Sequence, residues 1–239
     1  EVDVAVTSDE TLILFHDDSL ARTTDAEVRF PDRAPWTFTT FTSSELNSLD
    51  AGSWFVETDP FGQIATGEVT ADEQASFRGE KIPTLREAHL FTQTENWRIN
   101  VELKRRPPPM NRFPVVDRVL SLIEDLAVDP RQFVISSFNH DWLRQIRKRN
   151  PSIALQALIG LPATEPQDWG KLEFETYNAR STLTDDDQVR NLKDKGIAVN
   201  LYIVNEAEEM RRFIAAGAAG LITDFPQNLA GLLKKRESS

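Results

Sequence analysis

Residues 82–104, IPTLREAHLFTQTENWRINVELK, contain a helix pattern followed by a strand pattern. Thr84 and Glu87 stand three residues apart before an apolar run, a capping box that predicts the start of a helix. Residues 98–103 follow and predict a strand. The stretch therefore predicts one helix followed by one strand, the unit from which α/β proteins are built.

The same alternation continues toward the C-terminus, where strand and helix patterns alternate about six times over roughly 155 residues. Residues 134–135 and 198–204 are nearly all apolar, as is typical of a parallel sheet covered on both faces. Polar residues recur at the C-terminal ends of several strands, where barrel active sites are assembled. We therefore predict an α/β fold of the (β/α)8 TIM-barrel type rather than a doubly wound sheet. Thr184 and Asn205 are predicted to cap the helices that follow them.

Residues 19–81 interrupt this pattern with a segment rich in Thr, Asp, Pro and Gly. Aromatic residues such as Trp36 and Trp54 are scattered through the segment, and their number argues against disorder. We predict a small packed insertion with little regular structure. The whole chain, residues 1–239, is predicted to form a single domain that contains it.

Composition excludes several classes of protein. The 239 residues carry 27 basic and 38 acidic side chains, a net charge of −11, which argues against nucleic acid as the main partner. The chain has no cysteine, so a disulfide framework, a thiolate metal site and a cysteine nucleophile are excluded. No apolar run approaches the roughly 20 residues of a membrane span. A cytoplasmic and a periplasmic or secreted location are both compatible with this composition.

Acidic residues recur at two predicted strands. Glu1 and Asp3 stand two apart at the start of the chain, so their carboxylates face the same side of a strand. Glu102 and Lys104 have the same spacing at the end of another strand. Three carboxylates from two strands suit Mg²⁺ or Ca²⁺, which bind hard oxygen ligands. An ordinary solvent-facing alternation of charged residues has the same spacing and is an equally open interpretation.

A histidine stands at the end of a predicted hairpin. Residues 2–6 and 12–16 predict two strands, and a turn at residue 9 would bring His16 near Glu1 and Asp3. His16 is followed by Asp17-Asp18, and a histidine beside carboxylates can serve as a general acid or base. The alternative is that His16 only caps the hairpin. His89 and His140 lie in predicted helices and are expected to be structural.

The residues around His16 resemble a known family. The Glu-Val-Asp-Val of residues 1–4, His16-Asp17, Leu20 and Arg22-Thr23-Thr24 resemble the glycerophosphodiester phosphodiesterases. Further resemblances follow in the family's order along the whole chain: Glu45-Leu46, residues 49–52, 82–85, 101–104, 135–138, 199–205 and 220–224 with Pro226.

The resemblance implies a phosphodiesterase barrel of the phospholipase C-like type, with the insertion after the His-Asp hairpin. It also implies metal-dependent hydrolysis of glycerophosphodiesters, small-molecule substrates, to sn-glycerol 3-phosphate and an alcohol. The family's divalent-metal ligands fall on Glu1, Asp3 and Glu102. Mg²⁺ and Ca²⁺ both fit this set of ligands.

The resemblance also implies roles for the remaining site residues. The family's general acid falls on His16, which would protonate the leaving alcohol. The lysine that meets the phosphate falls on Lys104. Phe138 and Tyr202 are expected to form an apolar wall of the substrate site, and Tyr202 stands where the family usually has Trp.

The chain departs from the family pattern at its start. The family begins with a strand that ends in His-Arg-Gly and a helix, about 30 to 40 residues that make one βα unit. That unit is absent from this sequence, so the barrel is expected to be N-terminally incomplete and the 239 residues inactive or nearly so. Two alternatives remain open. One is a phospholipase D-like barrel that acts on sphingomyelin or lysophospholipids, and the other is a non-catalytic relative that binds phosphodiesters.

Overall fold

The computed structural model describes residues 1–127, 129–161 and 167–237. Its contacts divide the chain into two compact units. One unit is Val2–Val128, and the other is Asp129–Ser239 together with Glu1.

The first unit contains a three-stranded sheet flanked by helices. β1 (Val2–Val6) and β2 (Leu12–Leu14) form the predicted antiparallel hairpin, in which Val4 pairs with Leu14. β3 (Ile99–Leu103) lies parallel to β1 on its other side and pairs Asp3 with Glu102. The elements are β1 (Val2–Val6), β2 (Leu12–Leu14), α1 (Ala26–Arg29), α2 (Ser43–Ser48), α3 (Ser53–Thr58), α4 (Ala71–Phe77), α5 (Leu85–Thr94), β3 (Ile99–Leu103) and α6 (Val115–Asp125).

Residues 19–81 contain more regular structure than the sequence predicts. Four short helices, α1 to α4, lie within the segment, so the expectation of little regular structure was wrong. Capping boxes start two of them, with Thr42 and Glu45 at α2 and Thr70 and Glu73 at α4. These helices span only 4 to 7 residues. Such lengths are too short to show a helical period in the sequence, because the period needs a window of about 11 residues or more.

The aromatic residues of this segment are packed, as expected from the sequence. Phe38 is 3% exposed and Phe41 is fully buried. They share one hydrophobic cluster with residues of the β1–β2 hairpin, so the segment is anchored on the strands that precede it. The buried members of the cluster are Ala5, Ile13, Leu20, Ala26, Phe38, Phe41, Leu46, Leu49 and Ile82.

The second unit contains five parallel strands in sequence order, with helices between most of them. All five residues of its first strand are buried, as expected of a strand covered on both faces. The elements are β4 (Phe133–Ser137), α7 (His140–Arg149), β5 (Ala154–Leu158), β6 (Thr176–Arg180), α8 (Asp186–Asp194), β7 (Ala198–Tyr202), α9 (Ala207–Ala216), β8 (Gly220–Leu221) and α10 (Pro226–Glu237).

Two predicted helix caps in this unit were wrong. Asp185, not Thr184, caps α8, and its side chain accepts a hydrogen bond from the Gln188 backbone. Asn205 does not cap α9 but donates its side-chain amide to Asp224 at 2.8 Å. At α8 the neighbouring Asp185 takes the backbone group that Thr184 was expected to bind. At α9 the tertiary contacts of Asn205 with Thr223 and Asp224 occupy its side chain, and the N-cap residue Glu206 makes no side-chain capping hydrogen bond. No helix in the described part of the chain is both long and apolar enough to cross a membrane.

Candidate metal and phosphodiester site

Three carboxylates converge at the start of the chain and the end of β3. Each of Glu1, Asp3 and Glu102 offers a carboxylate oxygen that lies within 4.8 Å of the other two. The parallel register brings Asp3 opposite Glu102, and the two-residue period of a strand directs Glu1 to the same side as Asp3. The Asp3 side chain is only 14% exposed. Asp3 is therefore not an ordinary solvent-facing residue of an alternating strand.

A lysine accompanies the carboxylates. Lys104 Nζ lies 3.1 Å from Asp3 Oδ1 and donates a hydrogen bond of 3.2 Å to the backbone carbonyl of His16. Lys104 stands two residues after Glu102, so its side chain points to the same side as that of Glu102. From there its ammonium contacts both Asp3 and the carbonyl of His16. The lysine therefore places a positive charge beside one of the three carboxylates and connects β3 to the end of the hairpin.

His16 lies just beyond β2, and its side chain is 69% exposed. The Phe15 backbone N–H donates to the carbonyl of Asp3 at 3.1 Å, which holds this end of the hairpin against β1. The imidazole Nδ1 lies 2.7 Å from Asp17 Oδ1. The backbone of His16 is thus fixed beside Asp3 and Lys104, while its ring is oriented by the next residue.

Asp17 in turn is bound by Arg22. Arg22 Nε donates to Asp17 Oδ2 at 2.5 Å, and Nη2 donates to Oδ1 at 3.0 Å. The hydrogen bonds from Arg22, helped by that from His16, lower the pKa of Asp17 to about 2. An ionised carboxylate only accepts hydrogen bonds, so Nδ1 of His16 must be the donor. In the neutral ring the lone pair then lies on the other nitrogen, Nε2.

Two further predicted residues lie together in the second unit. The rings of Phe138 and Tyr202 pack edge to face, with centroids 6.3 Å apart. The Tyr202 hydroxyl donates to the Ile159 carbonyl at 2.6 Å, which fixes the ring. Both side chains are half-buried, and they offer an apolar surface with one anchored polar group.

The other histidines have the surroundings of structural residues. His89 is fully buried, and burial lowers its pKa. His140 Nε2 lies 3.0 Å from the carbonyl of Leu158, and its ring packs against Phe174.

The sequence pattern alone predicts no role for Asp17 or Arg22. Both belong to the motif that carries the family resemblance, so their presence there was the available signal. The fork-like contact between them could not be read from a spacing of five residues in an irregular segment.

Comparisons with known proteins identify the family of the chain. The model of the glycerophosphoryl diester phosphodiesterase family matches residues 1–228. The glycerophosphodiester phosphodiesterase of Caldanaerobacter subterraneus subsp. tengcongensis is 29% identical over 98% of this chain and 85% of its own length. That of Bacillus subtilis is 25% identical over 95% of this chain and 73% of its own length.

Solved structures share the fold. A putative glycerophosphoryl diester phosphodiesterase from Silicibacter pomeroyi superposes with a TM-score of 0.76 at 22% identity, over 99% of this chain and 83% of the other. A phosphodiesterase from Oleispira antarctica, in complex with the product sn-glycerol-3-phosphate, superposes with a TM-score of 0.74 at 21% identity. The match covers 98% of this chain and 83% of the other. This likeness confirms the predicted α/β fold of the phosphodiesterase barrel type. Because the family model covers nearly the whole sequence, the chain belongs to the glycerophosphoryl diester phosphodiesterase family.

Proposed function

We propose that the protein hydrolyses glycerophosphodiesters to sn-glycerol 3-phosphate and an alcohol, with a divalent cation held by Glu1, Asp3 and Glu102. The observation that carries the proposal is the convergence of these three carboxylates within 4.8 Å. Family membership and the relative in complex with sn-glycerol-3-phosphate support the same substrate class.

The carboxylates fit a hard divalent cation. Mg²⁺ and Ca²⁺ bind oxygen ligands, and all three donors here are carboxylate oxygens from two adjacent strands. Such a cation, when bound, stabilises the negative charge that builds on the phosphate oxygens as the diester is cleaved. The three residues would hold it at the end of β3, beside Lys104.

Lys104 would meet the phosphate of the substrate. Its ammonium already lies beside Asp3, so it can turn toward an anion at the carboxylate cluster without leaving the site. A fixed positive charge at this place stabilises charge that develops in the transition state.

His16 would donate a proton to the leaving alcohol. The oxygen of a water molecule forms the new bond to phosphorus and releases one proton to the solvent, while the bond between phosphorus and the alcohol oxygen breaks. The departing oxygen takes the proton held on His16 Nε2, which the contact between Nδ1 and Asp17 leaves available. Phe138 and Tyr202 would form an apolar wall for the substrate, supported by their edge-to-face packing.

The test is release of glycerol 3-phosphate by the natural full-length protein. Asp3→Asn and Glu102→Gln should each lower turnover by about 100-fold or more, since even indirect support of a metal is worth 10- to 100-fold. A chelator should lower the turnover of the wild-type protein by a similar factor. Glu10→Gln, an exposed carboxylate on the same hairpin, is the matched control and should retain activity.

Two other outcomes of the assay would indicate the phospholipase D-like enzyme or the non-catalytic relative. Release of choline from a lysophospholipid in place of glycerol 3-phosphate would indicate the phospholipase D-like reaction. Diester binding without turnover would indicate a non-catalytic relative. Either result overturns the proposed hydrolysis.

A further inference from the structure

We infer that Arg22 is a positioning residue, which acts through Asp17 to fix the imidazole of His16 and is itself held by Trp54. The inference rests on the proposed function, in which His16 gives its proton to the leaving alcohol. It assigns a role in the reaction to the insertion, residues 19–81.

The contact between Arg22 and Asp17 has the geometry of a fork. Nε and Nη2 donate to different oxygens of the carboxylate, so the plane of the carboxylate is fixed as well as its position. A lysine cannot reproduce this contact, because its single ammonium does not set the plane of a carboxylate. The orientation of Asp17 therefore depends on an arginine at this position.

The insertion holds Arg22 in place. Arg22 ends a short 3₁₀ helix, Leu20–Arg22, whose Leu20 is fully buried in the hydrophobic cluster. The Arg22 guanidinium lies 5.6 Å from the centre of the Trp54 ring, a cation–π distance. Trp54 packs edge to face on Phe55, which packs in the same way on Phe77 of α4. A chain of contacts thus runs from α4 to the ring of His16.

This arrangement has a chemical consequence for His16. With both Asp17 oxygens engaged and the carboxylate ionised, Nδ1 keeps its hydrogen and the lone pair of the neutral ring lies on Nε2. The ring is largely exposed, so packing alone does not restrain it. Without Arg22, Asp17 can rotate, and the imidazole is free to adopt other rotamers and the other tautomer.

The first experiment compares leaving groups in the natural full-length protein. Arg22→Gln and Arg22→Lys should each lower kcat for an alkyl glycerophosphodiester by about 10- to 100-fold, with KM nearly unchanged. The loss should shrink to about threefold or less with the 4-nitrophenyl diester of glycerol 3-phosphate, whose leaving group needs no proton. Arg29→Gln removes another exposed ion pair of the insertion, with Asp25, and should have no effect.

The second experiment records the tautomer directly. In the wild type, ¹⁵N shifts of His16 should show a protonated Nδ1 when the ring is neutral, and in Arg22→Gln a mixture of the two tautomers. Equal losses for both leaving groups, or an unchanged tautomer, would overturn the inference, because Arg22 would then act only on folding or binding.

His16→Ala separates this inference from the proposed function. If His16→Ala loses activity on the alkyl diester while Arg22→Gln keeps it, only the role of Arg22 is wrong. If His16→Ala keeps full activity, the proton-donor role of His16 fails and the inference fails with it. Losses in both variants, each relieved by the 4-nitrophenyl leaving group, support both.

Discussion

Lys104 Nζ lies 3.1 Å from Asp3 Oδ1, so one carboxylate of the proposed metal site already has a cationic neighbour. The ammonium partly offsets the negative charge of Glu1, Asp3 and Glu102. In the proposed function Lys104 would also meet the substrate phosphate, so the proposal links the metal affinity of the site to its phosphate affinity through this lysine.

Lys104→Met should raise the affinity for Mn²⁺ or Mg²⁺ by about 3- to 10-fold, because the carboxylates lose a nearby positive charge. The same variant should hydrolyse the diester more slowly, because the phosphate loses that charge too. Calorimetric titration and the glycerol 3-phosphate assay measure the two effects. Lys171→Met, which removes a lysine paired with Glu173 on the surface, is the control. Unchanged metal affinity in Lys104→Met would contradict the linkage.

Asp17 should make stability depend on pH in the acid range. Hydrogen bonds from Arg22 chiefly lower its pKa in the folded protein to about 2, from an ordinary value of 3.8. A lowered folded pKa stabilises the protein above about pH 4, and this stabilisation is lost as the pH falls toward 2. Asp17→Asn should therefore lower the free energy of unfolding by about 1 kcal/mol at pH 5, allowing for solvent screening, and by almost nothing near pH 2. Urea titrations at these pH values test this; a pH-independent difference would refute it.

The starts of several helices and the spacing of the carboxylates could be predicted from the sequence. The tertiary contacts that select between competing hydrogen-bond partners could not. Thr84 and Glu87 form the predicted capping box because both partners lie within three residues of each other. Asp185 caps α8 in place of Thr184, and Asn205 donates to Asp224 instead of capping α9. Tertiary packing determines which of these hydrogen bonds form. The contact of Arg22 with Trp54 joins residues 32 positions apart within the insertion (54 − 22). No local pattern encodes such a contact.

Arg106 should stabilise the loop that follows β3. It is 6% exposed, burial lowers its pKa to about 10, and it donates to the carbonyls of Lys104 at 3.1 Å, Met110 at 3.3 Å and Phe113 at 3.0 Å. Arg106→Met keeps the apolar stem but removes these donors, and should cost about 3 kcal/mol of unfolding free energy in a urea titration. The exposed neighbour variant Arg105→Met should cost almost nothing. Equal effects of the two variants would show that the three carbonyl contacts contribute little.

Asn178 should stabilise the parallel sheet of the second unit. Its side-chain amide donates to Gln156 at 2.9 Å and accepts from Asn200 at 2.8 Å, which forms a ladder across β5, β6 and β7. Asn178→Ala leaves both partners without this bridge inside the protein and should cost about 3 kcal/mol, measured by chemical unfolding. Asn191→Ala, at an exposed position of α8, is the control. A loss below about 0.5 kcal/mol in Asn178→Ala would mean that the ladder does not stabilise the sheet.

Diffraction from crystals of the full-length protein soaked in Mn²⁺ would show whether the three carboxylates bind a metal. We expect an anomalous peak about 2.0 to 2.5 Å from carboxylate oxygens of Glu1, Asp3 and Glu102, a distance typical of hard divalent cations. The peak should be absent from Glu102→Gln crystals and present in Glu10→Gln crystals. A wild-type crystal with full Mn²⁺ occupancy elsewhere and none at these carboxylates would show that they do not form the proposed metal site.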